Sequence, residues 1–338
     1  MSVVLRLLEY PDVWIFITSA IGIVPLSKIL GDATEELAKH TGPGIGGLLN
    51  ATFGNATELI IALFALNAGL YDVVKASLAG SIIGNLLLVL GFSMLLGGIG
   101  RQKQTFNRTG AAAGMSMLFL AVAALVIPAV FDRVVRGTNH GTDGTIEFLS
   151  LLVAGVLITS YIFSLVFSLI THRDIYDVGE EEDPPVWGKG FCALLMGGAT
   201  VFIAIESELL VKTIEETTHA LGITQFFVGM IIVAIVGNAA EHSAAVWMAM
   251  KNKMDLSLSI AIGSSTQIAL FVAPLIVFAS FIIGNPMTLV FNTFEIVAVI
   301  LSVAIVTLVT LDGESHWFEG LQLIAVYLVL GITFYFVP

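Results

Sequence analysis

Residues 54–58 read GNATE and residues 237–241 read GNAAE, 183 positions apart. Each pentapeptide sets a glutamate, Glu58 or Glu241, three residues after an asparagine, Asn55 or Asn238, inside a long apolar stretch. The same offset brings Gly80-Ser81 onto Gly263-Ser264 and Gly46 onto Gly229. A looser match, Glu35-Glu36 with Glu215-Glu216, lies at an offset of 180 and gives the first and sixth helices loosely equivalent acidic ends. Several matches at one offset mark an internal duplication, and the duplicated residues are polar ones in apolar surroundings.

Working outward, the surroundings are those of a membrane. Of 338 residues, 57% are hydrophobic and 12% charged, and the mean hydropathy is +0.96. Such a chain has too little polar surface for water to be its main solvent. Long apolar runs without strict alternation select helices, and only helices or closed barrels satisfy the backbone in lipid. The spans expected are 13–30, 44–66, 73–98, 109–131, 146–170, 188–211, 225–250, 256–283, 287–310 and 317–337, each near the length that crosses the hydrocarbon core. The first is interrupted by Pro25 and Lys28, and its apolar run Val13–Val24 reads as a helix rather than a cleaved secretory signal.

Between the fifth and sixth spans the chain changes character. Residues 171–185 read THRDIYDVGEEEDPP, with Glu180, Glu181, Glu182 and Asp183 ahead of two prolines. The division is therefore 1–170 for one five-helix repeat, 171–187 for an acidic connector and 188–338 for a second repeat. Five is odd, so the second copy crosses the membrane in the opposite sense. The expected fold is an all-α membrane protein of about ten transmembrane helices in two inverted five-helix repeats, a transporter design with its site near the midplane. Lysine and arginine divide five to nine between the two faces, the richer face carrying Lys28, Lys39, Arg101, Lys103, Arg108, Arg173, Lys189, Lys251 and Lys253. The positive-inside rule then makes the connector cytoplasmic and puts both termini on the other side.

Composition also excludes. A net charge of −12 argues against nucleic acid as a partner. The single cysteine, Cys192, forbids an internal disulfide.

The chemistry centres on Glu58 and Glu241. A carboxylate within a span carries a cost of roughly 2.5–3.5 kcal/mol on insertion scales, and here one stands at the same place in each repeat. Asn55 and Asn238, at i and i+3 to them, share a helix face with their glutamates. Calcium takes six to eight oxygens from carboxylates, amides, backbone and water, and two carboxylates cancel its charge. Gly54 and Gly237 are positioned to loosen the helix and free carbonyls. Ser81 and Ser264, paired by the repeat, are expected beside the site. So are, less specifically, Gly84, Asn85, Thr266 and Gln267, which packing explains equally well. His242 follows Glu241 where the first repeat has Leu59; it is a proton-relay candidate, though one helical step turns it away from Glu241. Of Glu206 and Glu208, one is a candidate for a water-filled path. Glu295 falls near a helix start, where the dipole favours an anion. Glu180 to Asp183 read as a solvated linker or as a cation sensor.

Four stretches together resemble the calcium/proton exchanger family of the calcium/cation antiporter superfamily: GDATEELAKHTGPGIGGLLNATFGNATELI (31–60), KASLAGSIIGNLLLVLG (75–91), VGNAAEHSAAVWMAMKNKMDLSLSIAIGSSTQIALFVAP (236–274) and DGESHWFEG (312–320). The resemblance implies antiport of Ca2+ against H+ by alternating access. It implies that Glu58 and Glu241 bind cation or proton, that Asn55 and Asn238 line the same site, and that Ser81 and Ser264 lie close by. It implies no cofactor beyond the transported ions. The Thr-Ser usual before the acidic residue in the sodium/calcium exchangers is absent. Many relatives carry an extra helix before the first repeat, for which the residues ahead of Pro11 leave little room. The competing readings are a manganese-selective or sodium-coupled antiporter, a channel, and an intramembrane hydrolase using Ser243 or Ser264 with His242.

Overall fold

A computed structural model of the chain describes residues 1–137, 143–172 and 184–337; Glu180 to Asp183 lie outside them. The described chain is almost wholly helical. Helix α1 is Ser2–Leu7, α2 Asp12–Lys39, α3 Pro43–Phe53 and α4 Ala56–Asn67. Helices α5 (Tyr71–Gly98), α6 (Arg108–Val135) and α7 (Asp143–Thr171) follow. After the connector come α8 (Lys189–Lys212), α9 (Ile214–Leu221), α10 (Gln225–Gly237), α11 (Ala239–Met250), α12 (Met254–Ile283), α13 (Thr293–Val309) and α14 (Trp317–Phe336).

Seven of these, α2, α5, α6, α7, α8, α12 and α14, are individually long and apolar enough to cross a bilayer. The pairs α3–α4 and α9–α10 reach that length only jointly, across bends of 41° and 114°, and α13 is a shorter apolar helix of 17 residues. The described chain thus holds seven such helices, or up to nine if each bent pair is one span.

Three expectations are corrected. Pro25 and Lys28 do not interrupt the first span, nor does it stop near residue 30: α2 runs through both to Lys39, as a membrane helix containing proline can when neighbours satisfy the freed carbonyl. The stretches 44–66 and 225–250 are not continuous helices. The first breaks between Phe53 and Ala56, the second at Asn238. Glu215 and Glu216 do not lie at the end of the sixth span; they open the separate short helix α9, after α8 has stopped at Lys212.

Helices α5 and α12 form the centre. In their most apolar windows 83% and 56% of residues are buried, against 22–39% in the other five long helices. Close approach is built from small residues. A Cβ on Gly80 of α5 would collide with the Met230 carbonyl of α10, and one on Gly229 would come within 2.8 Å of the Val73 carbonyl. Packing of this kind brings helices together where lipid offers no hydrophobic drive. Both central helices widen into π-helical turns, Gly84–Val89 and Ile268–Val272, a local unwinding frequent at functional sites.

Helices α2 and α8 pack on each other and share a small core of Leu30, Ala33, Met196, Ala199 and Ile203, separate from the main one. The Glu206 carboxylate, read above as a candidate for a water-filled path, instead accepts the Ser2 hydroxyl at 2.6 and 2.5 Å. Glu208 pairs with Lys212 one turn on, at 2.5 Å. Glu36, near the end of α2, accepts the N–H groups of Val186 and Trp187 at 2.7 and 3.0 Å. It thereby ties that helix to the chain leaving the connector. A two-residue antiparallel ribbon, Gln104–Thr105 with Glu314–Ser315, joins the loop after α5 to the loop before α14.

Candidate cation site

The two GNA-x-E segments are helix breaks with the same backbone. Asn55 (φ −100°, ψ 22°) and Asn238 (φ −90°, ψ 6°) both stand at the N-cap of a new helix, and neither side chain caps it. Each amide is turned into the protein interior. Each glutamate falls in the first turn of the new helix, where free N–H groups and the helix dipole favour negative charge.

Six residues singled out from the sequence come together here. Asn238 donates from Nδ2 to Ser81 Oγ at 2.7 Å and to the Ala234 carbonyl at 2.8 Å. Ser264 Oγ donates to Asn55 Oδ1 at 3.2 Å and also interacts with the Glu241 carboxylate. Asn55, Asn238, Ser81, Ser264 and Glu58 are all buried, and Glu241 is half-buried. The two carboxylates are near enough for each to feel the other's charge. They are also crossed over. Glu58 packs on Gly237 of the other motif and Glu241 on Gly54, so each glycine admits the opposite glutamate.

Most polar groups in this cluster are satisfied, but the carboxylates are not. Both oxygens of Glu58 and Oε2 of Glu241 are buried without a hydrogen-bond partner. Among the described residues no third His, Cys, Asp or Glu joins them.

Two further residues complete the network. Asn85 bridges the halves: its Nδ2 donates to Ser264 Oγ at 3.0 Å and to Asn238 Oδ1 at 3.3 Å. Its Oδ1 pairs with His242 Nε2 at 3.1 Å. Gln267 accepts from Asn55 through its side-chain oxygen. Neither stood out in the sequence above its helix neighbours, because the repeat gives them no counterpart: Ile268 stands opposite Asn85, and Gly84 opposite Gln267. His242 is joined to the network through Asn85 and not through Glu241. Ser243 donates to the Ala240 carbonyl at 2.8 Å, so His242 is engaged with Asn85 and Ser243 with the backbone, which is not a nucleophile–base arrangement. A cavity of about 410 Å³ between α6, α7 and α12 runs from Asn107 and Asp255 to Thr266 and Gln267, ending against this network.

Sodium/calcium exchanger protein is the family that matches, over residues 12–170 and 191–336. This chain belongs to that family. The Ca(2+)/H(+) antiporter of Aphanothece halophytica is 47% identical over 98% of this chain and 92% of its own. The Ca(2+)/H(+) antiporter ChaA of Bacillus subtilis is 42% identical over 99% and 95%. The solved structure of native YfkE superposes with a TM-score of 0.87 at 39% identity, over 99% of this chain and 96% of that one. Members of the family with these names are transporters and not enzymes, and the hydrolase reading is set aside.

Proposed function

We propose that this chain is a secondary antiporter that exchanges Ca2+ for H+ across a membrane by alternating access. Glu58 and Glu241 bind either one calcium ion or protons. Asn55, Asn238, Ser81 and Ser264 supply neutral oxygens around them.

The observation that carries this reading is the pair of buried carboxylates whose oxygens lack partners. An uncompensated buried charge is expensive, and such a group either takes a proton or binds a cation. Here it can do both. Two protons and one Ca2+ leave the pair with the same net charge of zero. Either loaded form is then able to move between inward- and outward-open states, while the empty, doubly charged form is held back. That rule couples the two fluxes without a separate gate. The relatives named as Ca(2+)/H(+) antiporters support calcium and protons as the exchanged pair.

The architecture supports an inverted duplication in ten spans. Seven long helices, α3–α4, α10–α11 and α13 make that number, and the equivalent breaks at Asn55 and Asn238 fall in the second and seventh. The distribution of positive charge places the connector in the cytoplasm and both termini opposite. Selectivity for Mn2+ or coupling to Na+ is the second reading, and the absent Thr-Ser before each glutamate disfavours sodium.

The test is transport by the purified protein in pH-loaded liposomes. Calcium uptake should follow the proton gradient, release protons in exchange and be unchanged by sodium. Glu58→Gln and Glu241→Gln should each abolish it while leaving an inserted, folded protein, because glutamine imitates the protonated form but releases nothing. Calcium affinity should fall as pH drops, because the proton competes for the same oxygens, and the dependence should weaken in either variant. Retention of coupled flux at the wild-type rate in both variants would sink the assignment.

A further inference from the structure

The two motifs share a backbone but differ in how their asparagine amides are turned. In the second half, Asn238 Nδ2 donates to Ser81 Oγ at 2.7 Å and back to the Ala234 carbonyl at 2.8 Å. The 183-residue offset sets Asn55 opposite Asn238, Ser264 opposite Ser81 and Ala51 opposite Ala234. Copied into the first half, those bonds would run from Asn55 Nδ2 to Ser264 Oγ and to the Ala51 carbonyl. The structure holds a different set. Asn55 receives the Ser264 hydroxyl on Oδ1 at 3.2 Å, and its Nδ2 donates to Gln267. The Ala51 carbonyl takes the hydroxyl of Tyr161, from α7, at 3.2 Å. Relative to Asn238, the Asn55 amide is turned end for end. Toward the serine of the opposite half it presents oxygen, where Asn238 presents nitrogen.

A helix that breaks frees the carbonyls of its last turn, and each needs another donor when buried. Asn238 serves its own break: its backbone N–H and its side chain both reach the Ala234 carbonyl, at 3.2 and 2.8 Å. In the first half a donor comes from another helix. A phenol can only donate to a carbonyl, so with Tyr161 in place the Ala51 carbonyl requires nothing from Asn55. Tyr161 is fixed for this task. It is buried, and its ring stacks on Phe271 with centroids 5.2 Å apart and planes 23° from parallel. Phe271 belongs to the π-helical turn of α12 that opens directly after Gln267, the acceptor of the Asn55 amide.

We propose that Tyr161 is a positioning residue of the cation site: by holding the Ala51 carbonyl it releases the Asn55 amide to Gln267 and keeps Asn55 Oδ1 on the side of Ser264. Ser264 is also the serine that meets the Glu241 carboxylate. Calcium takes oxygens, and an amide nitrogen turned to the same place would repel it. A carbonyl oxygen has two lone pairs, so the bond from Ser264 leaves Asn55 Oδ1 able to reach a cation. Neither Tyr161 nor Gln267 has to touch the ion for this. The inference rests on the reading of Asn55 as an oxygen donor to calcium.

Tyr161→Phe tests it, since the ring and its stacking stay while the hydroxyl goes. The Ala51 carbonyl should then draw the Asn55 amide nitrogen, as Ala234 draws that of Asn238, and the oxygen should turn away. Calcium binding to the purified protein, followed by titration calorimetry, should weaken by about fivefold, the effect of one lost hydrogen bond. In an Asn55→Asp background the same change should leave affinity unaltered, because a carboxylate presents oxygen whichever way it is turned. Added to Gln267→Leu, where the amide has already lost its other tie, it should cost less than its full factor. Tyr327→Phe is the control: that hydroxyl is buried without a partner, and its removal should leave affinity at the wild-type value. A tyrosine that only braces the fold would lower the melting temperature of Tyr161→Phe without moving calcium affinity, or would keep its full factor in both backgrounds. Either result overturns the proposal. Asn55→Leu protein that binds calcium as tightly as wild type would instead refute the site reading beneath it.

Discussion

Glu58 rests its side chain on the backbone of Gly237: a Cβ built there would lie 3.0 Å from Glu58 Cγ and 3.5 Å from its carboxyl carbon. The reciprocal contact sets Glu241 Oε1 3.3 Å from the same point on Gly54. The two glycines that the repeat pairs are therefore spaces for carboxylates. Gly237→Ala should push Glu58 from its place, lowering calcium affinity and destabilising the fold by about 1–3 kcal/mol as overpacking does. Gly197→Ala is the control. Nothing lies within 4 Å of a Cβ at that position in α8, so the change should be neutral or stabilising by up to about 1 kcal/mol. Calcium binding and thermal unfolding of both variants decide it; unchanged affinity in Gly237→Ala removes this glycine from the site.

Asn85 is predicted to matter as much as the residues the repeat pairs. Asn85→Leu strips partners from Ser264, Asn238 and His242 at once. Ser264 still donates to Asn55 and Asn238 Nδ2 still donates to Ser81, but Asn238 Oδ1 and His242 Nε2 lose their Asn85 bonds; a buried polar group left unpaired costs about 1–3 kcal/mol, so stability and calcium affinity should both drop. Ser93→Ala on the same helix removes a buried hydroxyl that has no partner, and the variant should be at least as stable as wild type. Melting curves with and without calcium compare the two, and a loss of stability in Ser93→Ala matching that in Asn85→Leu would falsify the network argument.

Much of this was readable from the chain, for physical reasons. Apolar runs of bilayer length mark where helices lie, and a carboxylate kept in such a run at both repeats marks where the proposed site lies. Glu58, Glu241, Asn55, Asn238, Ser81 and Ser264 were found in that way, and the structure brings them together. Gly54 and Gly237 suggested loosening where the helices break; what pattern alone missed were the full extent of those breaks and the asymmetric parts. Phe53 to Ala56 and Gly237 to Ala239 carry no proline, so hydropathy runs through them unmarked. The unwinding is set by tertiary contacts that turn the asparagine amides inward. Asn85 and Gln267 act across the two halves but have no repeat partner, and symmetry is blind to them. Glu295 was expected near a helix start, and it is there, in a capping box with Asn292.

Topology has a direct test. If the connector is cytoplasmic, as proposed from the positive-inside rule, a cysteine at Asp177, in a Cys192→Ser background, should resist a membrane-impermeant maleimide in intact cells and react once the cells are opened. Cys192 is buried in α8, and its replacement should leave little effect on fold. Labelling from outside intact cells would reverse the orientation.

Alternating access requires some elements to move against others, and the packing singles out α2 and α8. Their shared core of Leu30, Ala33, Met196, Ala199 and Ile203 is separate from the main one, which takes only Phe16, Ala20 and Ile23 from α2 and Leu210 and Val211 from α8, so a slide of the pair has to rearrange those five residues. Contact with the Glu58 segment is apolar at Phe53, Ala56 and Ile60, which pack on that small core, and polar through one pair of hydroxyls. Thr57, the residue before Glu58, donates to Ser27 of α2 at 2.9 Å. A hydrogen bond of this kind is worth about 1 kcal/mol net, weak enough to exchange as α2 slides. A covalent bond between the same positions is not. Ser27→Cys with Thr57→Cys, in the Cys192→Ser background, should support transport when reduced and lose it when bridged by oxidation or by Hg2+, with recovery on adding thiol. Each single cysteine should transport under both conditions. Calcium binding to the bridged protein should persist, because the carboxylates remain free and only the movement is blocked. If fully bridged protein still exchanges calcium for protons at the reduced rate, α2 does not move relative to α4 during the cycle, and the opening of the site must be sought in other helices.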